Sequence, residues 1–214
     1  MSHPQKHPDI AAIVLAAGSS RRYGPYNKLL ADIHGTPLIA RVVERVAQSS
    51  TGQIVVVTGH DAERIEAAVS RADIGTPLSF VHNARHLEGM GTTVAEGIKA
   101  LGPVIKAAIV TPGDMPDIDA LMIDRLIAMF EVSRQAAIIY PALASGEQRN
   151  PVLWPRRFFP QLAALTGDAG GRHLIKAAAA LVPAQTIAVP IAADASFADI
   201  DVPDELERWR ARNS

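Results

Sequence analysis

The chain has 214 residues, of which 48% are hydrophobic and 20% charged, and its 21 Lys and Arg nearly balance 22 Asp and Glu. This composition is typical of a globular protein and excludes a disordered one, and the length predicts a single domain. A net charge of −1 argues against a general nucleic-acid binder. The absence of cysteine excludes disulfides, thiolate metal sites and a cysteine nucleophile.

The N-terminus is polar and contains two prolines and two histidines within its first ten residues. It lacks the apolar segment of a signal peptide, and no apolar run nearby approaches the roughly 20 residues that span a bilayer. We therefore expect a flexible tail over residues 1–9 and one domain over residues 10–214. We also expect a cytoplasmic monomer with no membrane partner.

Short apolar segments alternate with segments of helical periodicity along most of the chain. The first kind predicts strands buried on both faces and the second predicts amphipathic helices. Their alternation indicates an α/β fold of three layers, Rossmann-like, with a mostly parallel central sheet and helices on both faces. The predicted strands are Ala11–Leu15, Ile54–Thr58, Leu78–His82, Ala107–Thr111 and Ala136–Tyr140, and the predicted helices are Leu38–Gln48, Ala62–Ala72, Thr92–Leu101 and Ala120–Val132.

The pattern changes after Pro141, where Pro151, Pro155 and Pro160 interrupt it. We interpret residues 141–198 as an insertion that elaborates the carboxyl edge of the sheet, where ligands bind in open α/β folds. Residues 10–140 would then bind one ligand and residues 141–198 a second. The remaining predicted elements are a helix at Arg172–Leu181, a strand at Thr186–Pro190 and a helix from Pro203.

The loop after the first strand, Leu15–Lys28, reads L-A-A-G-S-S-R-R-Y-G-P-Y-N-K. Small residues at Ala16–Ser20 let backbone N–H groups approach a ligand closely. Arg21, Arg22 and Lys28 add positive charge, and amides together with cations are typical of a polyphosphate site. Neither the Walker A nor the G-x-G-x-x-G spacing is present. The alternative is a basic loop that only joins a strand to a helix.

This loop resembles the signature L-A-A-G-x-S-x-R-x-G, followed by a lysine, of the α/β nucleotidyltransferases. It is most similar to the branch that modifies molybdenum cofactor, the molybdenum cofactor cytidylyltransferases and guanylyltransferases. Two departures are Tyr23, where methionine or phenylalanine is usual, and the three residues between Gly24 and Lys28. The resemblance implies nucleotide contacts at Leu15, Ala16, Ala17, Gly18, Ser19, Ser20, Arg22 and Lys28, and catalytic roles for Arg22 and Lys28.

A second motif, T-P-G-D-M-P-D, follows the strand predicted at Ala107–Thr111. A carboxylate at the tip of a central strand points into the ligand crevice, and magnesium favours one or two carboxylates together with phosphate oxygens and waters. Asp114 is therefore the first predicted magnesium ligand, although it could instead cap the next helix. For Asp117 and Asp119 capping is the preferred interpretation. The segment also resembles the D-M-P motif of the family, which implies that Asp114 contacts the nucleotide.

Near the C-terminus stands A-D-I-D-V-P-D-E-L, in which Asp199 and Asp201 would share one face of an extended segment. Asp201 could simply cap the helix that starts at Pro203, with Asp204 in its first turn. The segment resembles the D-x-D-T-P-E-D-L element of the family, with Val202 in place of threonine. The resemblance assigns the second metal ligand to Asp201, and capping does not exclude that role.

The segment H-N-A-R-H-L-E-G-M-G-T-T contains two glycines that open a helix, whose N-terminus could contact an anion or a base. Asn83 follows a strand and could read a polar base edge. The family has a similar E-G-M segment, which implies nucleotide contacts at Asn83 and Gly89. His60, His82 and His86 could act as general bases, but ordinary surface roles are the preferred interpretation.

Two segments of the second half, R-N-P-V-L-W and L-T-G-D-A-G-G-R, resemble acceptor-side motifs of the molybdenum cofactor branch. Arginines suit an acceptor with a terminal phosphate, and a glycine-rich loop lets backbone amides approach it. The loop could also be no more than a turn that enters a helix. The acceptor-binding residues implied by the resemblance are Arg149, Pro151, Gly167, Asp168, Gly171 and Arg172.

The resemblance implies a Mg²⁺-dependent transfer of a nucleotidyl group, preferably CMP from CTP, to the phosphate of molybdopterin, with release of pyrophosphate. GTP stays open as the donor, and a molybdenum hydroxylase would receive the product. Two alternatives remain. The acceptor could be a sugar phosphate or an isoprenoid precursor, or the chain could be a non-catalytic chaperone that carries the cofactor.

Overall fold

The computed structural model describes residues 5–20, 22–191 and 199–213. Strands and helices alternate through its first half, and shorter elements follow in the second half. The strands are β1 (His7–Ala16), β2 (Asp32–Ile33), β3 (Thr36–Pro37), β4 (Thr51–Thr58), β5 (Leu78–His82), β6 (Ala107–Pro112), β7 (Ile138–Ala142), β8 (Val152–Pro155) and β9 (Thr186–Pro190). The helices are α1 (Leu38–Ala47), α2 (Ala62–Ser70), α3 (Met90–Lys99), α4 (Ala120–Val132), α5 (Phe159–Ala163), α6 (Arg172–Leu181) and α7 (Pro203–Arg212).

A seven-stranded sheet in the order β5-β4-β1-β6-β8-β7-β9 forms the centre of the described chain, and β2 and β3 form a separate hairpin. Strands β5, β4, β1 and β6 run parallel, β8 is antiparallel to both β6 and β7, and β9 is parallel to β7. The mostly parallel sheet with helices around it confirms the predicted α/β fold class.

The alternation of side chains along β1 divides the core into two layers. Ala12 and Val14 pack with residues of α1, α2, α4 and α7 on one face of the sheet. Ala11 and Ile13 pack with residues of α3, α5 and α6 on the other face. Both faces of the central strand are therefore covered, which explains why its sequence is apolar at almost every position. No helix of the described residues is long and apolar enough to cross a membrane.

The start of β1 corrects the expected tail, because the strand begins at His7 and includes two further residues assigned to the tail. Lys6 also binds the fold, since its Nζ donates to the carbonyl oxygens of Ala47 and Ser49 at 2.7 and 2.6 Å. Polarity was misleading here because the first strand residues lie at the rim of the sheet, where polar side chains reach solvent. Residues 1–4 lie outside the described part of the chain.

Strand β8 corrects the interpretation of residues 141–198 as an addition at the edge. All four residues of Val152–Pro155 are buried, and the strand lies between β6 and β7 inside the sheet. Of the three prolines that suggested an interruption, Pro151 precedes the strand and Pro155 ends it, where a missing N–H group is tolerated. Pro160 lies in the first turn of α5, where it is also tolerated. Both parts of the chain therefore share one sheet.

Candidate active site

The carboxyl ends of β1 and β6 meet at one edge of the sheet. Gly113 N donates to Leu15 O at 2.9 Å, and His60 N donates to Ala17 O at 3.3 Å, so the first loop is tied to two neighbouring strand ends. A Cβ atom at Gly113 would lie 2.9 Å from Leu15 O and 2.8 Å from the Cδ1 atom of Ile39. Glycine is therefore required for the two strand ends to approach each other.

Four charged side chains predicted from three separate motifs form one continuous chain of ion pairs. Lys28 Nζ lies 2.5 Å from Asp114 Oδ2 and 2.9 Å from Asp201 Oδ1. Arg22 Nη1 lies 2.8 Å from the second oxygen of Asp201. The Lys28 and Asp114 side chains are only 14% and 16% exposed, whereas that of Arg22 is 75% exposed. The cations and carboxylates predicted from the sequence thus converge on one site.

The segment before α7 delivers Asp201 to this site. Ile200 N donates to the backbone oxygen of Asp114 at 3.0 Å, which fixes the segment beside β6. Glu205 then accepts hydrogen bonds from the backbone N–H groups of Asp201 and Val202 at 2.6 and 3.1 Å. The interpretation of Asp201 as the helix cap is wrong, because Val202 is the N-cap residue of α7 and the Asp201 carboxylate pairs with the cations.

Of the two neighbouring aspartates, Asp119 caps a helix as predicted, whereas Asp117 does not. Asp119 Oδ1 accepts a hydrogen bond from Leu121 N at 3.1 Å and caps α4. Asp117 Oδ2 instead accepts from Trp209 Nε1 at 2.6 Å, which anchors α7 to the loop after β6. Neither carboxylate takes part in the ion pairs of Lys28.

Mutual interaction determines the charge states at the site. Burial alone would lower the pKa of Lys28, but its pKa is raised because the Asp114 and Asp201 carboxylates outweigh burial. Burial alone would raise the pKa of Asp201, but Lys28 and Arg22 hold it below its ordinary value. Although Asp199 is exposed as a residue, burial of its carboxyl group and the charge of Asp114 raise its pKa to about 6. The site therefore carries carboxyl charge that a cation would stabilise.

The donor atoms fit a hard divalent cation. Asp114 Oδ1 is buried and has no hydrogen-bond partner among the described residues, which is costly unless a ligand provides one. The described residues contain no group of three His, Asp or Glu side chains that could hold a metal ion by themselves. Two carboxylates completed by phosphate oxygens and waters are the arrangement that Mg²⁺ favours, so Asp114 and Asp201 fit the predicted ion.

The remaining first-loop residues lie at the end of β1 in the expected place. Ala16 and Ala17 are buried, whereas Gly18 is exposed and has open space around its Cα atom. Ser19 and Ser20 are half-buried, and Ser20 has a φ of 51°. Their nucleotide contacts stay predictions, and Arg21 lies outside the described residues.

Asn83 has a structural role at the start of α3. The residue is fully buried, and its Nδ2 atom donates to the hydroxyl groups of Thr92 and Thr93 at 2.9 and 3.1 Å. Its Oδ1 atom accepts from Arg85 N at 2.9 Å. Both ends of the amide are engaged, so Asn83 orders the start of α3, and its contact with a base stays a prediction.

Gly89 also has a structural partner that the sequence did not predict. Its φ is 111°, and a Cβ atom there would lie 2.3 Å from the carbonyl carbon of Gly167 and 2.6 Å from Asp168 Oδ1. Gly91 N donates to Gly167 O at 2.7 Å. The glycines at the start of α3 therefore admit the loop before α6, and the Gly91 N–H group is already used.

The acceptor-side residues lie in two places. Arg149 pairs with Glu147. It lies near enough to Asp199 for its positive charge to offset a small part of the rise in the pKa of Asp199, which burial causes. Pro151 is buried immediately before β8. The others lie in or next to the loop that contacts α3. A Cβ atom at Gly171 would lie 3.0 Å from the Cζ2 atom of Trp154, so the glycine packs against the indole ring. Arg172 is exposed in the first turn of α6. Acceptor contacts at Arg149, Pro151, Gly167, Asp168, Gly171 and Arg172 stay predictions.

Three structural residues of the site were missed from the sequence. Glu205 could have been found, because an acidic residue three positions into a helix is a capping signal. Trp209 had no comparable signal, because its partner Asp117 is 92 positions away. Asn27 had none because the turn that it caps is only three residues long. Of the histidines, the His60 and His86 rings lie 6.4 Å apart beside the first loop, in line with the preferred surface role.

The fold and the ion-pair site define an α/β protein of the nucleotidyltransferase class, with a cation-rich loop after β1 and carboxylates after β6 and before α7. The model of the MobA-like NTP transferase domain matches residues 12–184. The chain belongs to this family of nucleotidyltransferases.

Individual relatives agree with this assignment. The bifunctional protein GlmU of Anaeromyxobacter sp. (strain Fw109-5) is 34% identical over 120 residues, which are 56% of this chain and 24% of that protein. This chain thus matches about a quarter of the length of such curated relatives. The crystal structure of the Mycobacterium tuberculosis rv0371c homolog from Mycobacterium sp. strain JC1 is 27% identical, has a TM-score of 0.78 and covers 96% of each chain.

The manganese complex of Rv0371C from Mycobacterium tuberculosis H37Rv has the same fold, with a TM-score of 0.73 at 22% identity. The match covers 95% of this chain and 98% of that one.

Proposed function

We propose that the chain transfers CMP from CTP to the terminal phosphate of a molybdopterin-type acceptor, with Mg²⁺ at Asp114 and Asp201. The observation that carries the metal-dependent nucleotide chemistry is the pairing of Lys28 with both carboxylates, beside the unpartnered Asp114 Oδ1. The manganese bound to a protein of the same fold supports a divalent ion. The choice of acceptor rests on the resemblance of the second-half motifs to the molybdenum cofactor branch. The choice of cytosine as the base rests on the resemblance of the A-A-G loop.

In this reaction an oxygen of the acceptor phosphate forms a bond to the α-phosphorus of CTP, and the bond from that phosphorus to the pyrophosphate oxygen breaks. No proton transfer is required, because a phosphate monoester is already an anionic nucleophile at neutral pH. The bound metal would supply charge neutralisation on the phosphates. Catalysis by the protein is therefore positioning and electrostatic stabilisation.

The residues of the chain divide this work. Lys28 and Arg22 hold the β- and γ-phosphates and stabilise the leaving pyrophosphate, because charge builds up there as the bond breaks. Lys28 exchanges a carboxylate for phosphate oxygens, which frees Asp114 and Asp201 for the metal. Arg149, near Asp199, and Arg172 bind the acceptor phosphate. We place this reaction in the cytoplasm, performed by a monomer that passes its product to a molybdenum hydroxylase.

Isothermal titration with CTP, GTP and ATP tests the donor, each with Mg²⁺ and with EDTA. We expect CTP to bind more tightly than GTP and ATP, and to lose its affinity in EDTA. Asp114→Asn is the matched control, because it keeps the shape of the side chain and removes its charge. Equal affinity with and without Mg²⁺ would contradict the metal-dependent site.

Pyrophosphate release then tests the acceptor. We expect release from CTP with molybdopterin and none with a sugar phosphate or with an isoprenoid-precursor phosphate. Release with one of the latter acceptors alone would replace the proposed acceptor and leave the nucleotidyl transfer intact. Tight binding of CTP without release with any of these acceptors would favour a carrier protein.

A further inference from the structure

A buried amide closes the base of the first loop. Asn27 is 4% exposed, and its Oδ1 atom accepts hydrogen bonds from Leu29 N and from the hydroxyl group of Ser20, both at 3.1 Å. The same hydroxyl oxygen accepts from Lys28 N at 3.1 Å. These three hydrogen bonds, which we call the Asn27 clasp, join the two ends of the loop from Ser20 to Lys28.

The clasp determines where the backbone of Lys28 lies. Asn27 is the N-cap of a short 3-10 turn, Lys28–Leu30, and the turn is completed by Leu30 N, which donates to Asn27 O at 3.0 Å. The backbone of Lys28 is thus held by Ser20, which accepts from its N–H group, and by the 3-10 turn that it begins. From this fixed backbone its Nζ atom reaches Asp114 and Asp201.

The orientation of the amide is determined by its partners. Leu29 N can only donate, so the atom that faces it must be the oxygen. The Nδ2 atom of Asn27 is left buried without a hydrogen-bond partner among the described residues. The stabilising contribution of the Asn27 side chain therefore comes from its oxygen, because the buried Nδ2 atom makes no hydrogen bond with the described residues.

We propose that Asn27 is a positioning residue for Lys28, whose side-chain oxygen holds the lysine backbone so that Nζ can move between the carboxylates and the phosphates of the nucleotide. The movement of Nζ to a phosphate rests on the proposed function, whereas the hydrogen bonds of the Asn27 clasp do not depend on it. Asn27 contacts no reacting atom in this scheme and acts through Lys28.

The variants Asn27→Ala and Asn27→Ser form a matched pair, because they differ by one oxygen atom and serine also caps a helical turn. Titration with magnesium pyrophosphate needs no turnover and measures the lysine site directly. We expect Asn27→Ala to weaken binding about tenfold and Asn27→Ser to stay within about threefold of the unmodified protein. Equal losses in both variants would overturn the role of the side-chain oxygen.

A double variant separates positioning from general stability. If Asn27 acts through Lys28, Asn27→Ala adds no further loss of pyrophosphate affinity once Lys28→Met is present. Losses that multiply would show that Asn27 acts independently, and would overturn the proposal. Thermal unfolding checks that every variant is folded at the temperature of the titration.

A third measurement is independent of nucleotide chemistry. Limiting acetic anhydride should label Lys28 slowly in the unmodified protein, because its side chain is paired and 14% exposed, and Lys99, which is 48% exposed, gives the internal reference. We expect Asn27→Ala to raise the Lys28 labelling relative to Lys99 at least fivefold, and Asn27→Ser to leave it near the original ratio. Unchanged labelling in Asn27→Ala would overturn the clasp even if the protein transferred no nucleotide.

Discussion

Around β1 and β6, the functional side chains are charged, partly buried and held by hydrogen bonds and ion pairs, as Lys28 and Asp114 are. Around β8 and α6, the chain is held by close backbone approach, as where Gly167 O accepts the hydrogen bond from Gly91 N. The first arrangement fixes charges relative to each other, and the second fixes a loop relative to a helix. Substitutions on the two sides should therefore affect different properties, activity on the first and stability on the second.

The largest effect is expected on the second side, where the loop before α6 contacts the start of α3. Gly89→Ala places a Cβ atom 2.3 Å from the carbonyl carbon of Gly167, at a φ of 111°. Strain and overlap together should lower the free energy of unfolding by about 3 kcal/mol, measured by urea denaturation.

Gly167→Ala is the matched control for this substitution. It also has a positive φ, 62°, but open space around it, so only the backbone strain of about 1 kcal/mol is expected. Equal effects at the two positions would contradict a close contact between the loop and α3.

Asn83→Ala tests whether the asparagine contributes to stability and not to nucleotide binding. It removes three hydrogen bonds of 2.9 to 3.1 Å from a fully buried residue, and should lower the free energy of unfolding by about 2 kcal/mol. Thr93→Val, which removes one acceptor, should cost about half as much. A normal unfolding curve with a raised KM for the nucleotide would instead return Asn83 to base recognition.

Lys28→Met tests the charged side. It keeps an unbranched chain but removes the cation from the leaving pyrophosphate, so nucleotide transfer should fall at least tenfold, about 1.4 kcal/mol in the barrier. Lys99→Met, in an exposed pair with Glu96, is the control and should leave the rate unchanged. The same turnover in both variants would remove Lys28 from the mechanism.

The smallest effect is expected where α7 is anchored. Asp117→Ala removes the acceptor for Trp209 Nε1 and should lower the free energy of unfolding by about 1 kcal/mol. Asp117→Asn keeps an acceptor oxygen and should cost less. If Asp117→Ala left stability unchanged and abolished the dependence on Mg²⁺, Asp117 would belong to the metal site.

Periodicity predicted the parallel half of the sheet, and the composition of the first loop predicted Lys28 as a phosphate ligand, because both depend on neighbouring residues. The rule that ligands bind at strand ends predicted Asp114, whereas the metal role of Asp201 came from the resemblance of its segment to the family. Strand β8 was missed because four residues flanked by prolines carry too little periodicity to register as a strand.

The structural roles of Asn83 and Gly89 were missed for a related reason. Their partners, Thr92 and Gly167, are brought into place by packing and not by spacing, so the motif suggested a ligand where the fold supplies a neighbour. For Asn27 this holds only in part: its contact with Leu29 N is local, and its contact with the Ser20 hydroxyl group forms when the loop closes.

The hydrogen bond between Lys28 and Asp201 joins residues 173 positions apart. During translation the first loop leaves the ribosome early, and folding proceeds from the N-terminal side. Lys28 and Asp114 can meet once β6 has been made, but the second carboxylate arrives only with the segment before α7. The charge balance of the site is therefore completed only after the segment before α7 has been made, and a nascent chain can assemble strands β1 to β8 before Asp201 joins the site.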